Sequence, residues 1–224
     1  MKCDLWRITE EQATSSLHNN IPDSSSRETD FLENLVDETK PLKTLEQQYI
    51  QAGYHYLVYS QFRYPLPVPS RYAARFKPPL HMENVFYGGL APETSYHEYV
   101  YHFLRQRLHI SGLSEFKETR TIFSVEFHDD HTTDLRHLEN TAAIMHKTDY
   151  SLSHSFVKSN QCSSILYPSA RHHGGECVAV FDIRYLKKIP KSHENIQLSL
   201  NAINHACHVK NPFRAFTIKW SDVS

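Results

Sequence analysis

Two short apolar runs, Ile165–Tyr167 and Cys177–Phe181, are separated by the turn Pro168-Ser-Ala-Arg and a Gly174-Gly175 break. Each run is too short for a helix and is bounded by turn residues, so both are expected as buried strands. A pair of buried strands requires a sheet around it. The turn between them presents one hydroxyl, Ser169, and one guanidinium, Arg171, at the lip of that sheet, where ligands tend to bind. A serine in a hairpin loop is common. It gains meaning beside two earlier segments, Arg75-Phe76 and Tyr87 with Glu98 downstream.

The rest of the chain alternates irregularly between element types. Thr9 to Leu17 suggests a helix, and residues 20–30, with Pro22 and Ser24 to Ser26, a loop. Ser26 or Thr29 could cap a second helix through Phe31, Leu32, Leu35 and Val36, ended by Pro41. Residues 1–50 thus read as an N-terminal helical arm over one face of a domain spanning 51–224. Tyr54 to Phe62 suggests a strand. Residues 64–80, with Pro65, Pro67, Pro69, Pro78 and Pro79, form an ordered non-helical loop, because proline fixes φ and constrains its predecessor.

Val85 to Tyr87 is a short strand that Gly88-Gly89 breaks. Thr94 or Ser95 caps a helix to about Leu108, whose apolar stripe is Val100, Phe103, Leu104 and Leu108. Glu98 and His102 share a face of it. Thr119 to Phe127 reads as a strand, residues 128–140 as polar, and Asp149-Tyr150 as the start of a helix through Phe156 and Val157. Residues 190–212 read as loop plus a short helix, and Phe213 to Trp220 as a last strand. Helices and strands without regular βαβ alternation predict an α+β fold, or an irregular α/β one.

Composition excludes several partners. The net charge of −1 over 224 residues gives no long-range field for nucleic acid or an anionic membrane. No run approaches the ~18 apolar residues of a membrane span, and the N-terminus lacks the apolar stretch of a secretory signal. Cys3, Cys162, Cys177 and Cys207 have no paired spacing, which fits reduced thiols and a cytoplasmic location. The 13 tyrosines and 12 phenylalanines, dense between Tyr54 and Phe103, suit either a lined pocket or an aromatic core.

The landmarks in order are Arg75-Phe76, Tyr87, Thr94-x3-Glu98-x2-Tyr-His102, Asp149-Tyr150 and Tyr167-Pro-Ser-Ala-Arg171. Over roughly residues 50–190 this pattern resembles the RES domain family, named for its Arg, Glu and Ser. The family's members are toxins of bacterial toxin–antitoxin systems that consume NAD. Their fold is similar to that of the ADP-ribosyltransferases, a split mixed sheet flanked by helices. The resemblance carries the family's Arg to Arg75, its pocket Tyr to Tyr87, its Glu to Glu98 and its Ser to Ser169, with Arg71 as an alternative for the arginine. It implies an antitoxin protein as partner and NAD as the substrate. The family's usual Gly between the Arg and the Tyr is absent from Lys77-Pro-Pro-Leu-His-Met-Glu-Asn84.

The chemistry is coherent without the resemblance. Breaking the nicotinamide–ribose bond passes through an oxocarbenium-like state, which a carboxylate stabilises. Glu98 supplies that group. Arg75 can clamp a pyrophosphate bidentately, Tyr87 can stack on nicotinamide, and Ser169 can orient a hydroxyl or carboxamide. Glu98, Arg75 and Ser169 are therefore the expected catalytic residues, with Tyr87, Arg71, Arg171 and His102 expected to contact the dinucleotide.

Each residue also has an ordinary structural role open to it: Glu98 as a helix carboxylate paired with His102, Ser169 as a turn hydroxyl, Arg75 as a surface charge, Tyr87 as a core aromatic. The alternative function is a non-catalytic module that keeps the pocket for a nucleotide or a partner protein. His128, His131, Asp134 and His137 are a weak metal pattern, as are His205 with His208 and the pair His172-His173, so no metal is expected. His172 or His173 could still line a pocket beside Ser169. Tyr-Pro-Ser-Ala-Arg is not a nucleophile elbow, and Cys177 inside an apolar strand is expected to be inert.

Overall fold

The computed structural model describes residues 1–10, 43–64 and 66–224. Its frame is one nine-stranded sheet. The strands are β1 (Lys2–Glu10), β2 (Phe86–Gly89), β3 (Glu115–His128), β4 (Thr133–Asp134), β5 (Ser164–Pro168), β6 (Glu176–Val180), β7 (Ser192–Asn201), β8 (Ala206–Lys210) and β9 (Ala215–Lys219). They lie in the order β4-β5-β6-β2-β1-β3-β7-β8-β9. All neighbours are antiparallel except β4 and β5. The helices are α1 (Lys43–Gln51), α2 (Tyr56–Tyr59), α3 (Pro92–Arg107), α4 (Thr141–Ile144), α5 (Ser151–Ser159) and α6 (Trp220–Val223). The mixed α+β class is as the sequence predicts.

The sheet has a waist. β1 runs along β3 from Lys2↔His128 to Glu10↔Arg120, but meets β2 at the single pair Trp6↔Gly89. Four strands on one side and five on the other are thus joined by one bridged pair. Side chains do part of the stitching. Arg7 Nη1 donates to the Tyr87 carbonyl at 2.6 Å, and Ser95 Oγ on α3 donates to the Trp6 carbonyl at 2.7 Å.

α3 crosses this waist. Pro92 suits its first turn, where a backbone N–H has no helical partner in any case. The apolar stripe is as expected: Val100, Phe103 and Leu104 are buried against Ile8, Ile122 and Leu198. The caps are not as expected. The N-cap is Ala91, and neither Thr94 nor Ser95 caps the helix. Thr94 Oγ1 lies 3.0 Å from His172 Nδ1, so the two hydroxyls tie α3 to the Ser169 turn and to β1.

Four expectations need correction. Residues 2–10 belong to a central strand and not to a helical arm. The helix expected from Thr9 starts in that strand and otherwise lies outside the described residues, as does the helix through Phe31, Leu32, Leu35 and Val36. The strand expected at Tyr54 to Phe62 is instead α2. The His55 ring accepts the Leu57 N–H at 3.2 Å, and Val58 and Phe62 bury together at helical spacing. Gly88 and Gly89 continue β2 instead of breaking it. Residues 190–212, expected as loop plus a short helix, hold β7 and β8. Ile196, Leu198 and Leu200 alternate strictly and are buried, a period-of-two signal that identifies a strand.

Gly89 is required by proximity. A Cβ there would lie 2.8 Å from Ser95 Oγ and 3.1 Å from the Ala91 carbonyl. Gly89→Ala is therefore expected to push α3 off the waist and to destabilise the fold by about 1–3 kcal/mol, the usual cost of overpacking. Urea unfolding of the two proteins measures this.

Candidate active site

At the waist, the sheet, α3 and the loop from Arg71 to Arg75 enclose a cavity of about 530 Å³. That is within the range of small-molecule sites. Its lining includes Glu98 and His102 from α3, Tyr87 from β2, and Arg71 and Arg75 from the loop. Each reaches the cavity for a local reason. Glu98 stands on α3 between Thr94 and His102, on the helix face turned toward β6. Tyr87 leans across to accept the Phe76 N–H at its hydroxyl, at 3.0 Å. That bond fixes the loop bearing Arg75 against β2.

Ser169 does not line the cavity; it sits behind the carboxylate. Its Oγ donates to Glu98 Oε1 at 2.6 Å. The same oxygen accepts the Arg171 and His172 backbone N–H groups at 3.1 and 3.0 Å. Two donors into the oxygen leave the hydroxyl proton only the carboxylate to point at. Ser169 is thus an orienting group for Glu98. The hydroxyl that bonds the carboxylate is that of Ser169, while His102 makes no hydrogen bond to it. Cys177 Sγ lies 4.0 Å from the same oxygen, and burial and the Glu98 charge push its thiol well above the usual range, so it is not a nucleophile.

The arginines separate by environment. Arg75 is buried, donates to the His146 carbonyl at 2.8 Å, and lies 4.7 Å from the centre of the Tyr150 ring. Arg71 is exposed over the Tyr72 ring. Arg171 is buried and lines the cavity, but its guanidinium is committed elsewhere. It donates to the Lys147 carbonyl at 2.6 Å and to the Val223 carbonyl at 3.3 Å, and stacks 3.4 Å over Tyr101. Expected as a ligand contact, Arg171 serves in this geometry as a tie between the Ser169 turn and α6.

His102 lines the cavity from α3 with part of its surface exposed to solvent. Loss of hydration against the cavity walls, followed by repulsion from Arg171, Arg105, Arg7 and Arg75, lowers its pKa to about 4. It is neutral at pH 7, able to donate or accept one hydrogen bond but not to add positive charge. Burial also raises the Tyr87 and Tyr167 phenols, which stay protonated.

His172 does not line the cavity. It stacks on His97 with ring centres 4.3 Å apart. Among the described residues, no group of three or more His, Cys, Asp or Glu is placed to hold a metal ion. In the polar 128–137 segment His128 bonds Asp130, and Asp134 bonds Arg136.

Several lining residues carry no clear mark in the sequence, among them Trp6, Tyr99 and Arg105, whereas Tyr150 belongs to the Asp149-Tyr150 landmark. One signal was present. Arg7 is a charge inside the apolar run Leu5-Trp6-Arg7-Ile8, and a charge there needs a specific partner.

Among families of known proteins, the RES domain matches residues 48–200. No curated protein matches the chain. No helix among the described residues is long and apolar enough to cross a membrane.

Proposed function

The chain belongs to the RES domain family, and from that premise we propose that it is an NAD-consuming enzyme that cleaves the nicotinamide–ribose bond. The observation that carries this reading is the Glu98 carboxylate, aimed by Ser169 at 2.6 Å, in a cavity whose other charges are five arginines. A cavity with one carboxylate among guanidiniums suits a ligand that is anionic overall and becomes cationic at one point. A dinucleotide passing through an oxocarbenium state is such a ligand.

In the proposed reaction the nicotinamide–ribose C–N bond breaks and its electron pair leaves with nicotinamide, which departs neutral. No general acid is needed for that departure. Glu98 stabilises the cation left at the ribose anomeric carbon and holds the adjacent 2′-hydroxyl. Tyr87, protonated and half-buried, provides a flat face beside the nicotinamide. Arg75 keeps one donor set on the His146 carbonyl and offers the remainder to the phosphates. A nucleophile (water, phosphate or a protein side chain) then adds at the anomeric carbon and releases its proton to solvent or phosphate.

The family context supports a toxin role, with an antitoxin protein that blocks the cavity mouth. Incubating the purified protein with NAD and following free nicotinamide by chromatography tests the reading. Nicotinamide should appear in step with NAD loss. NAD that binds and persists unchanged would instead mark a non-catalytic nucleotide module. Ser169→Ala should keep the cavity but free the carboxylate to rotate. A loss of about 10–100-fold in kcat/KM is expected, because one charge-assisted hydrogen bond is worth roughly 1.5–3 kcal/mol.

A further inference from the structure

The Ser169 turn meets α3 at two points, one helical turn apart. One is the bond from Ser169 Oγ to Glu98 Oε1 at 2.6 Å. The other is the contact of His172 Nδ1 with Thr94 Oγ1 at 3.0 Å. Thr94 stands four residues before Glu98, so the two side chains are neighbours on one face of the helix. Thr94 is 1% exposed. A hydroxyl buried to that degree needs a partner, and His172 supplies it.

The surrounding backbone is shaped to this contact. The Ser169 N–H bonds the Gly175 carbonyl at 2.8 Å, and the Gly175 N–H bonds the His172 carbonyl at 2.9 Å, which closes the turn on itself. A Cβ at Gly175 would lie 2.6 Å from His172 Nδ1 and 2.7 Å from Thr94 Oγ1. The imidazole and the hydroxyl thus pack against a residue with no side chain to push them apart. His172 also acts on Ser169 directly. Its backbone N–H and that of Arg171 occupy the Ser169 oxygen and turn its proton toward Glu98. The residue whose ring is fastened to α3 therefore carries a donor that sets the direction of the Ser169 hydroxyl. Neither Thr94 nor His172 lines the cavity.

We propose that Thr94 and His172 form a clamp that positions the Ser169–Glu98 pair, closed by the bond between Thr94 Oγ1 and His172 Nδ1. This deepens the function proposed above, on which it rests for the reaction that the carboxylate serves. Thr94 holds the ring, the ring holds the turn, and the turn holds the hydroxyl that orients Glu98. Both are positioning residues that lie outside the cavity. The His97 ring stacks on the same imidazole, with centres 4.3 Å apart, so the variants must separate the hydrogen bond from the stack.

Each variant is measured twice: nicotinamide release from NAD, and hydrogen exchange of the Arg171 and His172 amides by NMR. Thr94→Val removes the hydroxyl and keeps the shape. It should lower kcat about threefold to tenfold, the worth of one hydrogen bond, with KM for NAD within about twofold. The two amides should exchange at least about threefold faster. His172→Ala should behave likewise. Thr94→Ser and His172→Asn each keep a hydrogen-bonding atom at the clamp, and should recover most of both losses. Native kcat and native exchange in Thr94→Val overturn the proposal. Faster exchange with unchanged kcat marks a merely structural tie and also overturns it. So does His172→Asn as impaired as His172→Ala, because the stack on His97, and not the bond at Nδ1, would then hold the turn. A natural protein that leaves NAD intact, but whose amides respond to Thr94→Val and recover in Thr94→Ser, would sustain the clamp and reject the NAD-cleavage reading.

Discussion

Glu98→Gln is expected to lower nicotinamide release from NAD by roughly 10²–10⁴-fold, the range for removing a group that stabilises transition-state charge. The substitution isolates charge from shape. The amide oxygen can still accept the Ser169 hydroxyl, which lies 2.6 Å from Oε1 in the native protein. The cavity keeps its volume, and α3 keeps its apolar stripe of Val100, Phe103 and Leu104. What disappears is the one negative charge among the cavity's five arginines. Stability should therefore change little, by about 1 kcal/mol or less. KM for NAD should stay level or fall, since an anionic substrate no longer meets a carboxylate. A proportional loss of activity and of folded protein would mean that Glu98 is a structural residue.

The second large effect concerns Arg171 and is one of stability. Arg171 is buried and its guanidinium ties Lys147 and Val223 through their carbonyls while lying on Tyr101. Tyr101 stacks in turn on Trp220 with ring centres 5.4 Å apart. Arg171→Met removes the centre of this layered contact between the Ser169 turn, α3 and α6, and leaves two carbonyls with fewer donors. A loss of about 2–4 kcal/mol is expected from unsatisfied buried acceptors together with the lost cation–π contact. Arg71→Met is the control. Its guanidinium is exposed over Tyr72, so the change should stay within about 0.5 kcal/mol. Urea unfolding of the two variants separates two arginines that the sequence alone assigns to the same task.

Why the sequence assigns them alike is instructive. The β5–β6 pair and the α3 stripe were legible because their apolar residues follow one clean period. β1 was not. Its faces carry Asp4, Arg7 and Thr9 as well as Leu5 and Ile8, because the strand serves a cavity as well as a core. β7 was missed, although Ile196, Leu198 and Leu200 alternate, because polar residues interleave and flank them. In the site, the order of Glu98 and Ser169 along the chain suggested the pair. The division of labour between them did not follow from order. That Ser169 stands behind the carboxylate depends on the Arg171 and His172 N–H groups reaching its oxygen, which is a property of the turn's path. Arg7 was visible as a charge inside an apolar run, but its partners, the Tyr87 carbonyl and the Gln61 side chain, are far along the chain and neutral. No local pattern announces them.

In the proposed reaction the dinucleotide would lie at the waist of the sheet with its nicotinamide ribose against residue 98. A crystal structure of the Glu98→Gln protein soaked in NAD tests this most directly, because the slowed variant should hold the substrate intact. The expected density has the ribose 2′-hydroxyl within hydrogen-bonding distance, about 2.6–3.2 Å, of the residue 98 side chain, with the nicotinamide beside Tyr87. A dinucleotide bound elsewhere on the surface, or one reversed with adenine at residue 98, would contradict it.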